Sequence, residues 1–188
     1  MLNDNAKKGL DKFIKYVVQQ SKSNLTRKDK NVNKKLYNSI KGGVSVYPRS
    51  FTAYIEMEEY GEFVDKGVKG KASSAKAPNS PFRFGSGTGR KGGLTDGINS
   101  WVVKRRIQFR NKQTNKFMSY KQTANLIIRS VFNEGIKPSE FFSKPLETGF
   151  KRLPDEIVQL YGLDVDTFLK DLVNNGKKNW NKISRQSE

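Results

Sequence analysis

The apolar and polar positions change period several times along the chain, and each change predicts an element. Ala6, Leu10, Phe13 and Val17 recur at four- and three-residue spacing, one face of an amphipathic helix from Leu2 to about Gln20. After a polar stretch, Val32, Leu36 and Ile40, with Tyr37 alongside, predict a second helix that Gly42 and Gly43 end. Val44 and Val46 begin a strand, and Tyr47 to Ser50, which contain Pro48, make the turn. Phe51 to Met57 returns as the antiparallel partner. Phe51, Ala53, Ile55 and Met57 point one way, and Thr52, Tyr54 and Glu56 the other. At Glu58 the period turns helical, with Tyr60, Phe63 and Val64 on one face and Gly67 as the stop.

Regular structure is then expected to cease. Val68–Gly93 has no sustained period and is rich in Gly, Ser and Pro, which predicts a long loop. Its Gly87, Gly89 and Gly92 match the G-x-G-x-x-G spacing. No clear strand precedes them and no acid follows about 20 residues on, so a dinucleotide site is not supported. Thr95 or Asp96 caps a helix carrying Ile98, Trp101 and Val102. Ser119 and Gln122 form a capping box for another, in which Ala124, Ile127, Ile128, Val131 and Phe132 make a stripe that Gly135 closes. Phe142, Leu146, Phe150, Leu153, Ile157 and Leu160 mark a further helical run. Pro145 suits its first turn and Pro154 must kink or split it. Asp164 caps a short helix with Val165, Phe168, Leu169, Leu172 and Val173, and a polar tail covers 176–188. The pattern predicts an α+β fold: a small antiparallel sheet, its hairpin at about 44–57, packed by several α-helices. One domain would span 1–175, with a long basic loop at about 68–93.

Composition narrows the chemistry. The 188 residues include no cysteine and no histidine, which removes disulfides, thiolate catalysis, zinc–cysteine sites and the usual general base. A non-enzymatic protein without a cofactor or metal is expected. No apolar run approaches the roughly 20 residues that span a bilayer, and the N-terminus lacks the apolar segment of a signal peptide. A protein made in the cytoplasm, without a membrane partner, follows as an expectation.

The formal net charge of +18 is unevenly spread. Residues 68–119 hold 12 basic side chains and 1 acidic one, whereas 58–67 hold 1 and 4. The N-terminal lysines read as a solvated face. The middle segment reads as an electrostatic surface for a polyanion or an acidic partner. Within the loop, Lys69, Lys71, Lys76, Phe82, Arg83, Phe84, Arg90 and Lys91 are candidates for contact with a neighbouring subunit. Lys104, Arg105, Arg106, Arg110, Lys112 and Lys116 are candidates for nucleic acid or an acidic partner, although cations closing a helix also complement its dipole. Glu58, Glu59, Glu62 and Asp65 form the acidic cluster. A carboxylate-metal nuclease would need such groups to converge from different elements, and ranks last for that reason. A subunit interface is the preferred reading of the cluster.

Two stretches carry a resemblance. Glu59–Gly67 (EYGEFVDKG), following a strand and preceded by KKLYNSI, resembles the tail-completion, or head–tail joining, family of tailed bacteriophages. Leu36, Ser39, Ile40, Tyr60, Val64 and Gly67 fit that family's pattern; Gly61, Asp65 and Val68 stand where it has Ala, Glu and Thr. GIKPSEFFSKPLETG is similar to the family's Pro-x-x-Phe segment through Pro138, Phe141, Phe142, Pro145 and Leu146. The resemblance covers about residues 1–175 in element order, with 68–119 as an insertion. It implies an α+β fold and a cyclic homo-oligomer at the virion neck or tail top, without catalysis. The implied partners are portal, adaptor or tail proteins, with packaged DNA as a further candidate.

Overall fold

A computed structural model describes residues 4–30, 33–47, 50–86 and 93–153. The chain is mixed α+β and divides into two compact units, residues 1–61 with 140–188, and residues 62–139. The predicted helices beyond Leu153, the 176–188 tail, Arg90, Lys91 and the Gly87–Gly92 motif lie outside the described residues.

In the first unit, α1 (Asp4–Arg27) packs on a hairpin and on α6 (Ser143–Phe150). The α1 core stripe is Leu10, Phe13, Ile14, Val17, Ser21 and Leu25, all buried. The stripe continues the 3.6-residue period to Leu25, five residues past the predicted end at Gln20, because Ser21 is small enough to occupy a stripe position without breaking the helix. Nearby, the Asn24 Nδ2 donates to the Phe141 carbonyl at 3.3 Å. From α6 come Pro145, Leu146, Gly149 and Phe150, all buried, with Pro145 in the first turn as expected. A Cβ on Gly149 would come within 3.0 Å of the Phe13 ring, so α6 approaches α1 closely there.

The hairpin pairs β1 (Lys41–Tyr47) with β2 (Ser50–Glu56), from Lys41 opposite Glu56 to Tyr47 opposite Ser50. β1 therefore begins three residues earlier than Val44. Gly42 and Gly43, expected as a helix stop, are strand residues. A Cβ on Gly42 would lie 2.7 Å from Ile14 Cγ2 and 2.8 Å from the Tyr54 carbonyl oxygen. Close approach of the strand to α1, not helix termination, is what requires glycine there. The preceding helix, α2 (Lys35–Ser39), is shorter than predicted and ends at Ser39. The Ser39 hydroxyl donates to the Leu36 carbonyl at 2.9 Å and accepts from the Glu58 N–H at 3.1 Å. One side chain thus ties the end of α2 to the exit of the hairpin, while Leu36 and Ile40 enter the core.

α3 (Gly61–Lys66) opens at the boundary of the second unit. The helix is present, but its expected apolar face is not buried: Tyr60, just before it, and Phe63 are 37% and 39% exposed. Directly after Gly67, where regular structure was expected to stop, β3 (Val68–Lys69) pairs antiparallel with β4 (Gly135–Ile136). A two-residue strand is too short to leave an alternation in sequence. The described part of the loop is folded by specific bonds. The Ser80 hydroxyl donates to the Gly67 carbonyl at 2.7 Å, Ala77 is buried, and Lys71 N–H donates to the Phe132 carbonyl at 2.8 Å. α4 (Gly93–Arg105) packs on α5 (Tyr120–Glu134). The Ser119–Gln122 capping box forms at the start of α5 as the sequence predicts, with Gly135 at the other end. Thr123 and Ala124 are its buried residues; Ile127, Ile128, Val131 and Phe132 are half-buried.

Candidate functional site

The acidic cluster is divided by the fold. Asp65 is 2% exposed and belongs to the interior of its unit, so it is not part of an exposed acidic surface. Glu58 lies in the turn after β2, paired with Lys35 at 3.4 Å. The Tyr60 phenol is pushed above its usual range, first by burial and then by the Glu58 charge, against a lowering contact from the Leu36 backbone. Glu59 is exposed and Glu62 half-buried. Among the described residues no three carboxylates are grouped to hold a metal ion. No described helix is long and apolar enough to cross a membrane.

The loop candidates are engaged with their own unit. Phe82 packs edge-on against Phe63, ring centroids 4.5 Å apart, and Phe84 lies 5.8 Å from Phe132. Lys69 N–H donates to the Phe82 carbonyl and Phe84 N–H to the Lys69 carbonyl, a parallel bridge opposite Arg83. The Arg83 guanidinium reaches the Gly70 and Lys71 carbonyls at 3.4 and 3.5 Å. Lys71 sits 5.9 Å over the Phe132 ring, and Lys76 pairs with Glu134 at 2.6 Å. That last contact holds the Glu134 carboxyl below its ordinary range. The half-buried Phe82 and Phe84 rings brace the loop against its own unit.

The remaining basic candidates are displayed differently. Lys104, Arg105 and Arg106 are exposed at the end of α4, and Arg106 turns the chain with a φ of 54°. Residues 107–118 then fold as a small hairpin, Arg110 opposite Phe117. Asn111 N–H donates to the Lys116 carbonyl at 2.9 Å and Met118 N–H to the Phe109 carbonyl at 2.8 Å. At the tip, Asn111 Oδ1 accepts from the N–H groups of Gln113 and Thr114, an Asx turn. Two bonds fix its base: Gln108 Nε2 to the Met118 carbonyl at 2.9 Å, and Phe109 N–H to Thr123 Oγ1 of α5 at 3.2 Å.

This hairpin holds residues that sequence reasoning missed. Phe117 is 63% exposed and Phe109 41%. The Arg110 guanidinium stands 4.7 Å from the Phe117 ring centroid. An open groove of about 430 Å³ runs beside it, lined by Lys116, Phe117, Gln122, Asn125 and Leu126 among others. The signal was present as the mirrored pairs Phe109-Arg110 and Lys116-Phe117 about an Asn-rich turn. Comparison with protein-family models, curated proteins and solved structures gave no match.

Proposed function

We propose that this chain is a non-enzymatic structural protein of a tailed-bacteriophage virion. It assembles into a ring at the neck or tail top, joining portal or adaptor proteins to tail components. The observation that carries the reading is that the two stretches resembling the tail-completion family are bonded to each other. Ser139, next to Pro138, donates through its hydroxyl to the Val64 carbonyl at 2.6 Å, and through its N–H to the Val64 and Asp65 carbonyls at 3.1 and 3.0 Å. Gly67 packs so tightly on the same segment that a Cβ would lie 2.7 Å from Pro138 N. Both stretches are therefore halves of one structural joint, as pieces of a family core would be. Leu36 and Ile40 are core residues and Ser39 ties two elements together, so those matched positions have structural roles.

A subunit interface in this account uses exposed groups: Glu59, the Tyr60 ring, and cations of the opposite sign on the neighbouring copy. Native mass spectrometry of the full chain, alone and mixed with its adjoining neck proteins, tests the reading. A closed multimer of one discrete copy number is expected. A monomer under both conditions would overturn it.

A further inference from the structure

The geometry points to a nucleic-acid-binding surface built from the end of α4, the 107–118 hairpin and the start of α5. It goes beyond the ring reading and does not depend on it. The first argument is charge. From Gly97 to Asn133 the chain has no Asp or Glu, while Lys104, Arg105, Arg106, Arg110, Lys112, Lys116, Lys121 and Arg129 fall inside that span. Lys104, Arg106, Arg110, Lys112 and Lys116 are exposed, and a cationic surface of this kind attracts phosphates.

The second argument is rigidity. The hairpin's cross-strand bonds, its Asx turn and the bond from Phe109 to Thr123 hold Arg110, Lys112 and Lys116 on a defined ribbon. Little ordering remains to oppose binding. The third is the chemistry between the cations. Phe117 exposes most of its ring beside the Arg110 guanidinium, and the adjoining groove offers the Asn125 amide next to Lys116. Cations for phosphates, an aromatic face for a base and an amide for base edges suit a single strand in particular. The described part of the 68–93 loop lacks this combination, because its Phe82 and Phe84 rings pack on Phe63 and Phe132 and Lys76 is paired with Glu134.

Fluorescence anisotropy of the full chain with a labelled 30-nucleotide single strand, repeated with a 30-base-pair duplex, tests this across a salt series. Arg110→Ala/Lys112→Ala/Lys116→Ala should weaken single-strand binding about tenfold or more at moderate salt. It should also reduce the slope of log K against log salt by about 2, near 0.7 per lost phosphate contact. Phe117→Ala should weaken the single strand at least about fivefold and the duplex less. Lys7→Ala/Lys12→Ala/Lys15→Ala, an equal charge change on exposed positions of α1, should leave binding within about twofold. Circular dichroism checks that each variant is folded, and Phe117→Ala changes no charge at all. Absence of binding at low salt, or an equal loss in the α1 variant, would overturn the proposal. So would a hairpin variant that binds DNA normally but shifts the multimer distribution, which makes the surface a protein contact. Assembly is read separately by native mass spectrometry, so absence of binding by the unaltered chain with its multimers intact rejects this surface and not the ring.

Discussion

Gly67→Ala is the sharpest perturbation of the joint between the two family-like stretches. Gly67 has a φ of +70°, and placing an L side chain there costs about 1–2 kcal/mol on its own. The added Cβ would also lie 2.5 Å from the Ile136 carbonyl oxygen, 2.7 Å from Pro138 N and 2.9 Å from Pro138 Cδ. These atoms are backbone, or a ring fused to it, so no side-chain rotation relieves the clash. The 136–139 segment would have to retreat by close to an ångström to restore ordinary contact. That retreat strains the Val68–Ile136 pairing and the three bonds from Ser139 to the end of α3. Leaving one buried polar group unmet adds about 1–3 kcal/mol. The sum is about 2–5 kcal/mol, or roughly 5–15 °C in Tm for a chain of this size. Urea and thermal unfolding followed by circular dichroism measure it. Gly97→Ala is the control: its Cβ meets nothing within 4 Å in α4, and a gain of about 0.5–1 kcal/mol is expected. A Gly67→Ala protein within about 0.5 kcal/mol of the parent would refute the reasoning.

Other outcomes follow from the same structure. Ser119→Ala removes the capping box of α5 and should destabilise by about 1 kcal/mol in urea unfolding. Lys76→Ala should raise the Glu134 pKa, read by carboxyl NMR titration. The Lys76 contact lowers that pKa, so the pair is present above the ordinary carboxylate range and lost as pH falls through the lowered value. Phe141→Ala, at a fully buried ring, should cost about 3–5 kcal/mol.

What was legible in the sequence had local causes. The capping box, Pro145 in a first turn and the alternation of β2 each follow from residues within a few positions of one another. The α1 extension was hidden because Ser21 and Asn24 are polar: Ser21 is buried on the stripe despite its hydroxyl, and Asn24 bonds to Phe141, far along the chain. Gly42 sent a local stop signal whose actual cause, contact with Ile14, is tertiary. The order within residues 70–86 rests on backbone carbonyls at Gly67, Phe132 and Asn133, which no side-chain pattern announces. For the same reason Phe82 and Phe84 read as free anchors, although Phe63 and Phe132 meet them. The basic segment was recognised by charge alone. Which of its cations a folded ribbon displays depended on the hairpin between α4 and α5.

The most direct test of the proposal that this chain is a neck protein is a reconstruction of the neck of the phage particle proposed to carry it. The account predicts a closed ring of copies between portal and tail, each with the β1–β2 hairpin and the Gly67–Ser139 joint described above. Purified, infectious particles that lack the chain altogether would contradict it.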